Sequence, residues 1–235
     1  MTSVDLEIDG DIAHIWLNRP DRLNAVAPVL VDELLHALDG AQDTKAVILA
    51  GRGRAFCAGH DLKETPDGDS RARIERLQDV TRRLRGIPQP VIAAVHGYAI
   101  GAGAEFALGC DLVLAAEDAV FAFPEASLGL SVTGAASRLL PLIVGPLKAR
   151  QLLLLGERVD AATALGMGLV NAVVPDVHLA AREWAARIPA HPATTLAKRA
   201  LDAGIDSALE HALELEVSHA LITEHLPGNA LGSRA

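Results

Sequence analysis

The sequence predicts an α/β fold: a core of alternating strands and helices, followed by a region that is mostly helical. Three observations carry this. Short apolar runs at 46–50 and 91–95, closed by Gly or Pro, alternate with stretches of helical period in the first half. After Gly134 the helical period dominates, and only 169–174 reads as a strand. The chain has 235 residues, 50% of them hydrophobic, so it buries most of its unfolded surface without disulfide or metal staples.

The elements follow in order. Val4, Leu6 and Ile8 alternate with polar residues, Gly10 sits in an Asp-Gly-Asp turn, and 12–17 returns, which predicts a hairpin. Leu30, Val31, Leu34, Leu35 and Leu38 are spaced for a helix over 28–38, ending before Gly40. Residues 46–50 read as a buried strand. A polar loop is expected at 65–70. A helix follows at 71–85, with Ile74, Leu77, Val80 and Leu84 on one face. Strands are expected at 91–95, 112–115 and 120–123, and a short helix of small residues at 101–108. Helices are expected at 135–144, 146–155, 160–166, 177–188, 193–203 and 206–224, and a loose tail at 227–235. No solenoid period is found. The expected division is a core over 1–175 and a helical region over 176–235.

Composition excludes several classes. Thirty acidic and 21 basic residues give a net charge of −9, which disfavours nucleic acid as a partner. Two cysteines and no CxxC make no disulfide framework and suit a reducing compartment. Residues 1–10 lack the basic start and apolar run of a signal peptide, and no 18-residue apolar run spans a membrane. A cytoplasmic location is expected.

Three segments carry candidate chemistry. Ala55 to Leu62 follows a strand and a Gly-rich turn, where small residues let backbone N–H groups approach a ligand; it also reads as an ordinary small-residue loop. His96 to Glu105 leads from a strand through glycines into a helix, an anion-binding arrangement. Phe106 stands where a dinucleotide fingerprint needs its third Gly. Glu105 there could simply complement the helix dipole. In the third segment, Phe121 to Leu130, Glu125 is the lone acid in an apolar stretch, where a carboxyl should have a raised pKa. Glu105 and Glu125 both follow strand-like runs and could converge at one end of a sheet. Two ExxH motifs, at Glu33 and Glu216, suggest a di-iron bundle only in an all-helical fold, which this is not. Cys57 has no partner base and reads as a buried thiol.

Together these segments resemble the crotonase family, the enoyl-CoA hydratase/isomerase superfamily, over nearly the whole chain. The resemblance lies in Leu17-Asn18-Arg19-Pro20 with Asn24-Ala25, Phe56 to Lys63, Ala94 to Ala99, Cys110-Asp111, Pro124-Glu125, Leu155-Gly156-Glu157 and 161–170. It implies a spiral of ββα units with a C-terminal helical region used in assembly, as a homotrimer or dimer of trimers. It implies an acyl-CoA thioester as ligand, no metal, and no cofactor beyond the coenzyme A of the substrate. The thioester carbonyl would be held by the backbone N–H groups of His60 and Ala102, the latter provided its φ stays negative. The two hydratase glutamates match Glu105 and Glu125. The substrate-binding positions implied are Arg19, Arg22, Ala58, Gly59, Asp61, Leu62, Lys63, Tyr98, Gly101, Gly103 and Gly134. Arg19, Arg22 and Lys63 are expected near the CoA phosphates. Glu105, at a helix N-terminus, is expected to stay ionised and activate water, and Glu125 to exchange the C2 proton. An isomerase needing only Glu125, or a non-catalytic acyl-CoA binder, are the alternatives. The chain departs from the family pattern at Ser131 to Arg138, where a Pro-Gly-Ala-Gly-Gly-like stretch is usual, and at Leu226-Pro227-Gly228, where a CoA-reaching helix is usual. The apolar residues of 206–224 are expected to serve trimer assembly.

Overall fold

The computed structural model describes residues 2–64, 68–206 and 208–226. Part of the expected polar loop (65–67) and the expected tail (227–235) lie outside the described residues.

The hairpin forms as β1 (Val4–Asp9) and β2 (Ile12–Leu17), with Gly10 at φ +60° in the turn. Then come α1 (Pro28–Gly40), β3 (Ala46–Gly51), α2 (Ser70–Gly86), β4 (Val91–Val95), β5 (Tyr98–Ile100), α3 (Ala102–Gly109), β6 (Leu112–Ala116) and β7 (Val120–Ala122). The second half holds α4 (Ala136–Val144), α5 (Pro146–Leu155), β8 (Val159–Asp160), α6 (Ala161–Gly166), β9 (Ala172–Val174), α7 (Val177–Arg187), α8 (Pro192–Asp206) and α9 (Leu209–Glu224).

The main sheet has the order β1-β2-β3-β4-β6-β9, antiparallel at β1/β2 and parallel elsewhere. Every residue of β3 and β4 is buried, as strands covered on both faces require, and this explains their unbroken apolar runs. One face packs with α1, α2 and α3, through residues such as Leu34, Leu49, Leu84 and Phe106. The other packs against Val177, Ala181 and Ala185 of α7. A division after residue 175 therefore separates α7 in sequence but not in packing. A second sheet, β5-β7-β8, stands beside the first.

Two differences from the sequence reading have local causes. β5 was not expected: three residues between Gly97 and Gly101, both at φ +54°, are too few to show a period. The expected strand 169–174 shortens to β9, because Gly168 at φ +80° and Leu169 N–H, bonded to the Ala164 carbonyl at 2.8 Å, close the end of α6.

A third difference concerns α9. Its apolar face is already covered within the chain: Leu209, Leu213, Val217 and Ala220 are buried, Leu209 and Leu213 in the main core and Val217 and Ala220 against Ile74 of α2. The surplus apolar surface lies instead on α4, α5 and α8, where Leu147, Leu154 and Leu201 are more than two-thirds exposed (77%, 71% and 72%).

Candidate active site

The loop after β3 is stitched to its neighbours by backbone hydrogen bonds. Cys57 N–H donates to Tyr98 O (2.8 Å), Ile100 N–H to Cys57 O (3.0 Å), Val26 N–H to Gly59 O (2.8 Å) and Asp61 N–H to Val26 O (3.0 Å). These contacts consume the groups on either side of His60 and leave its N–H without a protein acceptor among the described residues. Ala102 N–H, at the first position of α3, is likewise unpaired there. Ala102 is not among the residues with positive φ, so the condition set for its N–H is met.

Glycines make the two loops fit. Gly59 is at φ +86°, and a Cβ on it would lie 2.7 Å from Ile100 O and 3.9 Å from Ala102 N. The His60 and Ala102 donors thus come from adjoining backbone. A Cβ on Gly103 would lie 2.2 Å from Cys57 O, and one on Gly101 2.8 Å from Glu125 Oε1. Small residues here are a condition for α3 to dock on the loop and on Glu125.

Both glutamates are buried, Glu105 at 2% and Glu125 at 7% exposure. Glu105 Oε1 accepts from Thr133 N–H at 2.7 Å, and Oε2 accepts from the Thr133 hydroxyl. Glu125, in the 3₁₀ turn Glu125–Leu128 after β7, has a buried Oε2 with no hydrogen-bond partner among the described residues. Burial pushes the Glu125 carboxyl up to about 7. Burial, then the charge of Glu125, pushes Glu105 well above the usual carboxylate range, against the two Thr133 donors. The direction is opposite to the one expected from the helix start: desolvation acts against a helix dipole that acts only at the helix end. The pair retains protons that isolated carboxyls would lose.

A cavity of about 590 Å³ opens between α1, α2, α9 and the loop after Glu125. Val26, Val31, Ile74, Leu77, Leu130 and Ala220 are among its apolar lining residues, and His60, Asp61, Glu125 and Thr133 are among its polar ones. Its size suits a small-molecule ligand. Glu105 lies behind Thr133 and does not line it.

A protein-family model described as enoyl-CoA hydratase/isomerase matches residues 7–225. The chain belongs to the enoyl-CoA hydratase/isomerase family. A probable enoyl-CoA hydratase, echA6, of Mycobacterium tuberculosis is 40% identical over 207 residues, 86% of this chain and 82% of that one. A probable enoyl-CoA hydratase of Bacillus subtilis is 36% identical, covering 73% of this chain and 69% of its own. The crystal structure of an enoyl-CoA hydratase/isomerase from Mycobacterium paratuberculosis superimposes with a TM-score of 0.91 at 30% identity, over 98% of this chain and 96% of that one. The crotonase fold expected from the sequence is therefore the fold of this protein.

Within this family fold the remaining expected positions divide. Gly134, at φ +61°, abuts Glu105: a Cβ would lie 2.8 Å from its Cβ. Ala58 is half-buried, its N–H bonded to Leu23 O at 3.0 Å. Leu62, Lys63, Tyr98 and Arg22 are exposed and lie outside the cavity lining. Arg19 departs from its expected role. Its guanidinium is tied to Asp61 and Glu64, each at 3.1 Å, and to Ala25 O, so its charge is matched within the chain rather than presented to phosphates. Asp61, buried, also accepts from Lys63 N–H at 3.1 Å. The ExxH glutamates serve the backbone: Glu33 accepts from Ser3 and Val4 N–H, and Glu216 from Ala135 and Ser137 N–H. Sequence reasoning missed Thr133, Gln78 and Glu216 at the site. A buried Gln on the apolar side of α2 and an acid amid the apolar face of α9 were the available signals. Among the described residues no helix is long and apolar enough to cross a membrane.

Proposed function

We propose that the protein adds water across the 2,3 double bond of a 2-enoyl-CoA thioester. The observation that supports this is that Glu125, whose carboxyl burial holds above the usual range, lines one cavity with His60, whose N–H adjoins that of Ala102, both without an acceptor among the described residues. Polarising the thioester carbonyl makes C3 electrophilic. Water attacks C3 and surrenders a proton to one carboxylate, while the other carboxyl delivers a proton to C2. The negative charge that develops on the thioester oxygen in between falls on the His60 and Ala102 donors. Fixed donors of this kind supply the largest single contribution in many enzymes, and removing one costs about 3–4 kcal/mol. No cofactor enters this chemistry beyond the CoA carried by the substrate.

One observation favours a second reading. Glu105 is shielded by Thr133, and of the pair only Glu125 lines the cavity. A single carboxyl suffices to move a proton between C2 and C4, which is isomerisation. Assays with crotonyl-CoA and a 3-enoyl-CoA separate the two. Glu105→Gln should cut hydration at least ~10²-fold yet spare isomerisation, and Glu125→Gln should lose both. Wild-type hydration by Glu105→Gln would overturn the two-carboxylate reading. A wild type that binds acyl-CoA but catalyses neither reaction would leave a binder of acyl-CoA.

A homotrimer in the cytoplasm belongs to the same reading. Two buried free thiols, Cys57 and Cys110, suit a reducing compartment. Exposed Leu147, Leu154 and Leu155 offer apolar surface for a second copy. Light scattering that gives a monomer at micromolar concentration would refute the assembly.

A further inference from the structure

Four backbone N–H groups in the segment 133–137 point at three buried side chains from three helices. Thr133 N–H donates to Glu105 of α3 at 2.7 Å, and Gly134 N–H to Gln78 Oε1 of α2 at 2.6 Å. Ala135 and Ser137 N–H donate to the two oxygens of Glu216 of α9, at 2.8 and 2.9 Å. Gln78 Nε2 closes the set on Glu216 Oε2 and Leu213 O, each at 3.2 Å. Gln78 and Glu216 are 0% and 1% exposed, so neither can exchange these partners for water.

The segment is held in a conformation it would not keep alone. Gly134 and Ala135 both have positive φ, +61° and +57°, a region that costs an alanine energy. Ala135 is the N-cap of α4 and its side chain caps nothing; Glu216 supplies that cap from another helix. The segment is also locked to Glu105, since a Cβ at Gly134 would lie 2.8 Å from Glu105 Cβ. A shift of 134–135 therefore moves both Thr133 donors relative to the Glu105 carboxyl.

We infer that Gln78 and Glu216 are positioning residues for the carboxylate pair, acting through the backbone of 133–137 to place Thr133 on Glu105. This rests on the reading of Glu105 and Glu125 as the reacting acids. The charged or titratable groups acting on Glu105 are Glu125 from the turn after β7 and Glu216 from α9, with the Cys57 thiol nearby. A neutral change at Gln78 leaves all three in place and tests position alone.

The experiment compares the full-length wild type with Gln78→Met, Glu216→Gln and Glu105→Gln. Turnover of crotonyl-CoA gives kcat and KM. Infrared difference spectra against pH follow the protonated carboxyls, and Glu105→Gln identifies the band of Glu105. Gln78→Met should lower kcat about tenfold or more, because small misplacements of reacting groups are costly, and leave KM within about threefold. Its Glu105 band should persist to higher pH, since the Thr133 donors no longer favour the anion. Glu216→Gln should lower kcat in the same way. Should Gln78→Met fail to fold, Gln78→Asn, one methylene shorter, carries the same expectations. Wild-type kcat and an unmoved Glu105 titration, with only the melting temperature reduced, would overturn the inference. A wild type inert toward crotonyl-CoA and longer 2-enoyl-CoAs would instead refute the proposed hydration, while the infrared titration still decides the positioning.

Discussion

Thr133 donates to both oxygens of Glu105, its N–H to Oε1 at 2.7 Å and its hydroxyl to Oε2. One residue thus satisfies a carboxyl that is otherwise cut off from water, and it also forms the wall between that carboxyl and the cavity. Thr133→Val keeps the shape and the N–H but removes the hydroxyl. A hydrogen bond to a charged group is worth about 1.5–3 kcal/mol. The variant should therefore slow hydration about tenfold or more, and its Glu105 should hold its proton to higher pH. The kcat–pH profile measures both effects. An unchanged profile would show that the hydroxyl does not act on Glu105.

The carboxyl pair also predicts how stability depends on pH. Glu125 titrates near 7 when folded, against an ordinary value of 4.5, because burial disfavours its charge. Between these values the native state binds more protons than the unfolded chain. The contribution is thus complete below about 4.5 and is lost as pH rises through 7. Glu105, shifted in the same direction, adds to the loss. Melting temperatures taken across pH 5–8 should fall with pH on this account, and Glu125→Gln should flatten the slope. A slope equal to that of the wild type would remove Glu125 as its source.

Cys57 lies in the loop after β3, bonded to β5, yet should be chemically silent. Burial, the largest influence, pushes its thiol up to about 12. At pH 8 that leaves about one thiolate in 10⁴, and the thiolate is the reactive form. Alkylation of the native protein by iodoacetamide should be slow at Cys57 and should become fast in denaturant. Rapid native labelling located there by mass spectrometry would contradict its burial.

Lys198 of α8 is the buried lysine of the described residues, 6% exposed. Its ammonium donates to Leu84 O (3.2 Å), Gln89 O (3.0 Å) and Asp111 Oδ2 (2.8 Å). Asp111 in turn accepts from Val91 N–H at 2.7 Å. The lysine thus ties α8 to the start of β4. Lys198→Met would leave Asp111 and two carbonyls without their cation, and removing one partner of a buried pair costs about 3–5 kcal/mol. Chemical denaturation measures the loss. A cost below about 1 kcal/mol would mean that water replaces the ammonium.

Elements whose signal is local can be read from the amino acids alone. Apolar runs fixed β3 and β4, a leucine period fixed α1, the Asp-Gly-Asp turn fixed the hairpin, and ordered motifs pointed to the family and to Glu105 and Glu125. Features that depend on groups far apart in the chain emerge only on folding. The environment of Glu105 is one case: its place at a helix start favours ionisation, but burial and the charge of Glu125 push its carboxyl the other way. Arg19 is another, since only folding brings it to Asp61 and Glu64, 42 and 45 residues on. The support of 133–137 is the third, because Glu216 is 81 residues from Ala135 and Gln78 is 56 from Gly134. Local periodicity reports which face of an element is apolar. It does not report which polar group will lose its water, and that loss sets the charge and position of the groups at this site.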